Sequence, residues 1–150
     1  MANKITSVLT YKGAAMTWEC DSNRHMNVMY YINKFELAGR SFNLEMGTAD
    51  IVADDPNIGI VVLEQQIQYV KEVFEDDWLH IESSLRDIGN KAFTVFHEMY
   101  KTRTKEKVST MKAVVVLFDK VNRKALPFPK DLKKELLPYI NPNEDSDRIP

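Results

Sequence analysis

The sequence predicts an α+β fold: one antiparallel β-sheet of about five strands wrapped around one long central α-helix. Three observations carry this. A single apolar stripe of helical period runs from Val28 to Met46. Four later segments alternate apolar and polar residues with the period of a strand. Short turn signals separate those segments, which makes consecutive antiparallel hairpins the economical connection.

In chain order, a first strand is expected within Ser7 to Glu19. The helix follows, with Val28, Tyr31, Ile32, Phe35, Ala38, Gly39, Phe42 and Met46 along one stripe. Asn27 suits the N-cap, because its side chain can accept a hydrogen bond from a free amide of the first turn. Gly47 suits a left-handed C-cap. Glu36 and Arg40 stand four apart, in the favourable order for a surface ion pair. Such a helix has about five turns. In Ile60 to Val70 the residues Val61, Leu63, Ile67 and Tyr69 are expected on one face, with Gln65 as the exception. Leu79, Ile81 and Leu85 share a face of the next segment. Phe93, Val95, His97 and Met99 alternate in the third, and Val108 to Phe118 makes the fourth. These four are expected as a meander. Lys130 to Leu137 is expected as a short final helix with Leu132 and Leu136 on one face. The domain is expected over 1–140, and 141–150 is a polar tail. Ala113 to Phe118 is apolar on both faces, so the outer face needs a cover, for which a homodimer or homotetramer is expected.

Composition narrows the function classes. The chain has 150 residues, 44% apolar and 28% charged, with a net charge of −2. A chain of this size can bury a sizeable core. No basic footprint points to nucleic acid, and no run approaches a membrane span. The N-terminal segment lacks the apolar core of a signal peptide. One Cys allows no internal disulfide and fits a reducing, cytoplasmic setting. One Cys and three scattered His argue against a zinc site, and no metal or other cofactor is expected.

The polar residues crowd into one place. The stretch TWECDSNRHMNVMYY, Thr17 to Tyr31, holds Cys20, Asp21, Arg24, His25 and Asn27 directly before the helix. The first amides of a helix lack intrahelical acceptors and carry the positive end of its dipole. Such amides can stabilise an oxyanion. Asp21 beside them suits attack on an ester-like carbonyl, as general base to water or as nucleophile. A thioester is the easier target, since a thiolate leaves without protonation. His25 can orient water or substrate, and Asn27 can cap the helix or hold the attacking water. Asp and Asn ahead of a helix are also ordinary caps and turn formers.

Asp21 to Tyr30 (DSNRHMNVMY) followed by Phe35 to Arg40 (FELAGR) resembles the hotdog-fold acyl-CoA thioesterases of the 4-hydroxybenzoyl-CoA thioesterase superfamily. The likeness continues through VLEQQIQY, GNKAFTVFH and DKVNRKALPFP, from about Leu9 to Leu132. It implies a hotdog fold, dimers with active sites between protomers, and acyl-CoA as substrate. It implies Asp21 as the catalytic acid and backbone amides near Val28 as the groups that polarise the thioester carbonyl. His25 and Asn27 occupy motif positions. Arg24 stands where the family often has Gly; its charge can meet a coenzyme A phosphate, but Gly permits backbone angles that Arg resists.

Other candidates carry less. Glu64, on a polar strand face with Gln66 and Gln68, is a possible pocket residue, and Thr110 a possible neighbour of the site. Cys20 reads better as a small buried hydrophobe than as a nucleophile. His97 reads as a core or interface residue, and His80 as exposed. Lys101, Arg103, Lys105 and Lys107, with Lys91 and Lys112, make a basic hairpin end that can attract phosphates. The competing functions are a hotdog enoyl-CoA hydratase or dehydratase and a non-catalytic acyl-CoA-binding module.

Overall fold

The computed structural model describes residue 5 and residues 7–142. The polar tail expected over 141–150 lies, from 143 onward, outside the described residues. The elements are β1 (Val8–Ala14), a 3-10 turn (Thr17–Glu19), α1 (Val28–Met46), α2 (Thr48–Asp54), β2 (Ile58–Tyr69), β3 (Trp78–Ile88), β4 (Ala92–Lys101), β5 (Lys107–Asp119), β6 (Lys124–Leu126), α3 (Leu132–Leu136) and a second 3-10 turn (Leu137–Tyr139). The strands form one antiparallel sheet in the order β1-β3-β4-β5-β2, with the short β6 paired to β5.

The meander holds only for β3, β4 and β5. β2 crosses the sheet to pair with β5, and β3 pairs with β1. The reason lies in residues 70–77, which do not turn back on β2. Their backbone is taken up elsewhere: the Val73 carbonyl accepts from the Met26 N–H at 2.7 Å, and the Asp77 carbonyl accepts from the Ala15 N–H at 2.9 Å. β2 and β1 therefore become the two edges.

α1 begins and ends where its caps dictate. The Asn27 side chain accepts from the Met29 N–H, and Gly47 takes φ 80°, a left-handed conformation that costs glycine little. The buried face is Tyr31, Lys34, Phe35, Ala38, Phe42 and Met46. Two members of the expected stripe differ: Val28 and Ile32 are 54% and 42% exposed. They sit on the flank of the buried face, one i, i+4 row round the helix. α2 was not foreseen, because seven residues are too few to show a period. Glu36 and Arg40 pair at 3.2 Å as expected.

β2 contains a bulge between Val62 and Glu64, which leaves Leu63 as the extra residue. A bulge reverses the alternation of faces beyond it. The face turned to α1 is therefore Ile60 and Val62, then Gln65, Ile67 and Tyr69. The expected set of Val61, Leu63, Ile67 and Tyr69 mixes two faces, and Gln65 is no exception.

The core lies between α1 and the concave face, with Phe35, Phe42, Leu79, Ile81, Leu85, Phe93 and Met99 at 0–1% exposure. Burying each such side chain is worth about 1.5–3 kcal/mol. Leu132 and Leu136 of α3 join this core, and Phe128 packs on Phe93 with ring centroids 5.5 Å apart. On the outer face, Phe96 and Val116 are each 2% exposed, and the Arg86 guanidinium lies 4.1 Å from the Phe96 ring. Part of that face thus supplies its own cover.

Candidate active site

The loop from Cys20 to Asn27 is closed by its backbone. Cys20 and Met26 form an antiparallel bridge. The Asp21 N–H donates to the His25 carbonyl at 3.0 Å, and the Arg24 N–H donates to the Asp21 carbonyl at 2.9 Å. This tight turn puts Arg24 at φ 61°. The position demands left-handed backbone, which explains why Gly serves better there. The Asn27 N–H donates to the Glu19 carbonyl at 2.8 Å, so the loop's entry and exit are tied together.

The Asp21 carboxylate is held at both oxygens. Oδ1 accepts from the Asn23 N–H at 2.9 Å, and Oδ2 accepts from the Asn27 side-chain amide at 3.0 Å. His25 Nε2 stands 3.7 Å from Oδ1. Partial burial pushes the Asp21 pKa up, but the hydrogen bonds from Asn23 and Asn27 and the field of His25 outweigh it, leaving the carboxyl below its ordinary value. Asp21 is therefore an ionised carboxylate at neutral pH, with its side chain 24% exposed. His25 is oriented from its other side, where Nδ1 lies 2.8 Å from Glu72 Oε1.

Asn27 does two jobs at once. Its Nδ2 group holds Asp21, and its Oδ1 accepts the Met29 N–H at 3.1 Å. The Tyr30 N–H is taken by the Asn27 carbonyl. Among the described residues the Val28 N–H meets no acceptor. An ionised carboxylate and an open helix-start amide thus share one residue, Asn27, as their brace. That arrangement can direct water or the carboxylate itself at an acyl carbon while the amide takes the carbonyl oxygen.

Asp21, Arg24, His25, Asn27 and Val28 are brought together. Glu64 and Thr110 are not part of that cluster. They lie on the face of the sheet turned away from α1, Glu64 opposite Val114 and Thr110 opposite Gln68 and Glu98. Burial, then the nearby Glu75, Asp21 and Glu19 carboxylates, push the Cys20 thiol up, which opposes a thiolate nucleophile. His97 is buried as expected, and His80 is half-buried with Nδ1 2.9 Å from Thr102 Oγ1. In the basic hairpin end, Lys101 pairs with Asp77 at 3.2 Å and Lys107 with Glu98 at 2.5 Å, so two of its charges are already balanced.

Three supporting residues went unforeseen. Asn23 acts through its backbone N–H, which no side-chain pattern reports. Glu72 is 47 positions from His25 in the sequence. Glu19, inside the quoted stretch, pairs with buried Lys34, and only its place before Cys20 and Asp21 could have singled it out.

A single antiparallel sheet curled round one long helix is the architecture of the hotdog fold. The sequence matches the thioesterase-like superfamily over residues 15–136, and the chain belongs to that family of thioester hydrolases. No curated protein matches it by sequence. Solved structures share the fold. SAV2348 from Staphylococcus aureus, solved in complex with CoA, superposes with a TM-score of 0.79 at 18% identity, covering 99% of each chain. YbaW of Escherichia coli, a probable thioesterase, gives 0.76 at 22% identity over 89% of this chain and 100% of its own. Slr0204, a 1,4-dihydroxy-2-naphthoyl-CoA thioesterase from Synechocystis, gives 0.73 at 12% identity, covering 85% and 94%. Among the described residues, no helix is long and apolar enough to cross a membrane.

Proposed function

We propose that this chain hydrolyses acyl-CoA thioesters, with Asp21 as general base. The observation that carries this is the ionised Asp21 carboxylate braced by Asn27 beside the unpaired Val28 N–H. Water attacks the thioester carbonyl carbon and gives its proton to Asp21. The carbonyl oxygen becomes an oxyanion at the helix-start amides. The intermediate collapses with cleavage of the C–S bond, the coenzyme A thiolate leaves, and Asp21 releases its proton to it or to solvent. His25, held by Glu72, orients the incoming groups. Coenzyme A as the carrier is supported by the CoA complex and the CoA thioesterase among the structures of the same fold. Arg24, exposed in the loop, is the residue we assign to a coenzyme A phosphate, on the strength of its charge and exposure.

The active assembly is a homo-oligomer. β2 is an edge strand of twelve residues, with Leu63 62% and Tyr69 48% exposed. A long edge strand left open invites pairing with a second copy. Glu64 and Thr110 then act only if a partner protomer brings its own site to them.

The test is free-thiol release from a panel of acyl-CoAs by wild type and Asp21→Asn. Loss of a general base is expected to cost about a thousandfold. Equal turnover in the two proteins would remove Asp21 from the reaction. Binding of acyl-CoA with no release in either would make the chain a binding module.

A further inference from the structure

We propose that His97 selects the acyl group: it offers a hydrogen-bond acceptor to a hydroxyl carried toward the far end of an aliphatic acyl chain. The origin of the chain rests on the thioesterase reading above; the selection rests on the cavity and its protons.

A cavity of about 390 Å³ lies between α1, α2 and the concave face of the sheet. Phe35, Phe42, Ile60, Val62 and Phe93 make it apolar, and Gly39 leaves a gap in its helical wall. Its polar lining residues Glu36, Arg40, Asn43 and Gln65 all keep contact with solvent. His97 is different. It is 2% exposed and belongs to the inner wall. A Cβ placed at Gly39 would stand 3.9 Å from His97 Nε2, so any larger side chain there would cover this nitrogen and glycine leaves it uncovered on that side. Nε2 has no hydrogen-bond partner among the described residues. Yet no sealed side-chain nitrogen or oxygen among them is unpartnered, so Nε2 opens on the cavity.

The protons can be counted. Thr10, the extra residue of a bulge in β1, lies 3.2 Å from the Ile81 carbonyl and 2.7 Å from Ser83 Oγ. Ser83 Oγ lies 2.5 Å from His97 Nδ1. Only one arrangement puts a proton in all three contacts: a carbonyl only accepts, so in it the single Thr10 hydroxyl proton goes to Ile81. The proton between Thr10 and Ser83 must then come from Ser83. Ser83 has no second proton, so His97 Nδ1–H donates to it. Burial keeps the ring neutral, with its pKa near 3, and a neutral imidazole carries one N–H. Nε2 is therefore a bare lone pair. It accepts; it cannot donate.

The cavity is within reach of the helix start. Val28 and Ile32, the exposed flank of α1, lead along one row to Glu36, Gly39 and Asn43 at the cavity. From Val28 to Gly39 the helix rises about 16 Å. That is too far for a single aryl ring and suits a medium-length chain. A hydroxyl at its end fills the lone pair; a methyl or an ether oxygen leaves it unmet, which costs buried polar groups dearly.

The test is calorimetric binding of medium-chain ω-hydroxy, ω-methoxy and unsubstituted fatty acids, which needs no hydrolysis. The ω-hydroxy acid is expected to bind about tenfold more tightly than its methoxy counterpart. Equal affinities, or a preference for methoxy, would overturn the proposal. Thr10→Val frees the Ser83 proton for Nδ1, so the ring proton moves to Nε2 and the hydroxy preference is expected to vanish as methoxy binding tightens. Imidazole ¹⁵N shifts report this directly: the proton is expected on Nδ1 in wild type, and finding it on Nε2 would overturn the proposal even if Thr10→Val does not fold. Hydroxy preference without thiol release from the matching CoA esters would support His97 while removing the thioesterase reading. Thiol release without preference would do the reverse.

Discussion

Lys34 Nζ lies 2.6 Å from Glu19 Oε2, and the two side chains are 3% and 7% exposed. The second oxygen of Glu19 accepts the Met16 N–H at 2.7 Å, and its carbonyl accepts the Asn27 N–H. One residue thus ties the end of β1, the polar loop and α1 together. Removing one partner of a buried pair strands the other charge, which typically costs about 3–5 kcal/mol. Lys34→Met is expected to lose that much by urea denaturation. Adding Glu19→Gln should recover part of it, since the stranded charge is gone. A loss below about 1 kcal/mol in the single variant would show the pair to be dispensable.

Arg24 shows the opposite case, a residue the backbone tolerates. Its φ of 61° lies in the left-handed region, where a Cβ costs roughly 1–2 kcal/mol. Glycine avoids that cost but adds disorder to the unfolded chain. Arg24→Gly is therefore expected to stabilise the fold by about 1 kcal/mol. If its exposed guanidinium meets coenzyme A, KM should rise while kcat holds. Unchanged stability would mean the loop relaxes around Arg; an unchanged KM would remove Arg24 from substrate binding.

Asn27 links the cap to the carboxylate, so its loss should show in both stability and pH profile. Asn27→Ala removes the N-cap bond to Met29, at about 1 kcal/mol. It also removes a hydrogen bond that lowers the Asp21 pKa. A base must be ionised to act. The acid limb of kcat/KM is therefore expected below the ordinary aspartate value of 3.8 in wild type and higher in Asn27→Ala. An acid limb that stays put would mean another group sets it.

Much of this was legible because certain residues impose backbone geometry. Asn27 and Gly47 fixed both ends of α1, whereas Arg24 in place of Gly argued against the left-handed turn that the backbone takes there. The motif from Asp21 to Asn27 marked the candidate site because its members are adjacent. Asn23 escaped because a backbone N–H leaves no side-chain pattern, and most of the rest escaped because its partners are far apart in the chain. The bulge at Leu63 carries no compositional sign, yet it reverses half of β2. The crossing of β2 depends on Val73 and Asp77 being claimed by Met26 and Ala15. Lys34 reads as a surface residue until Glu19 is folded against it, and the proton chain into His97 draws on three strands.

His97 also makes the stability of the fold depend on pH, with a definite sign. Its pKa falls from 6.5 to about 3 on folding, because burial disfavours the charged ring. Below 6.5 the unfolded chain takes up a proton that the folded chain refuses. Unfolding then gains protons, and stability falls as pH falls. The stabilisation is fully present above 6.5 and is lost progressively down to about pH 3, at a slope of at most roughly 1.4 kcal/mol per pH unit from this residue. His97→Gln replaces the ring with a group that does not titrate. Its urea-denaturation stability is expected to be lower at neutral pH, since the Ser83 bond and the contacts with Phe35 and Phe42 are disturbed. The decline between pH 6.5 and 4 should nevertheless be shallower than in wild type. Parallel declines in the two proteins would show that carboxylates alone govern acid unfolding, and that the buried ring accepts its proton without opening the core.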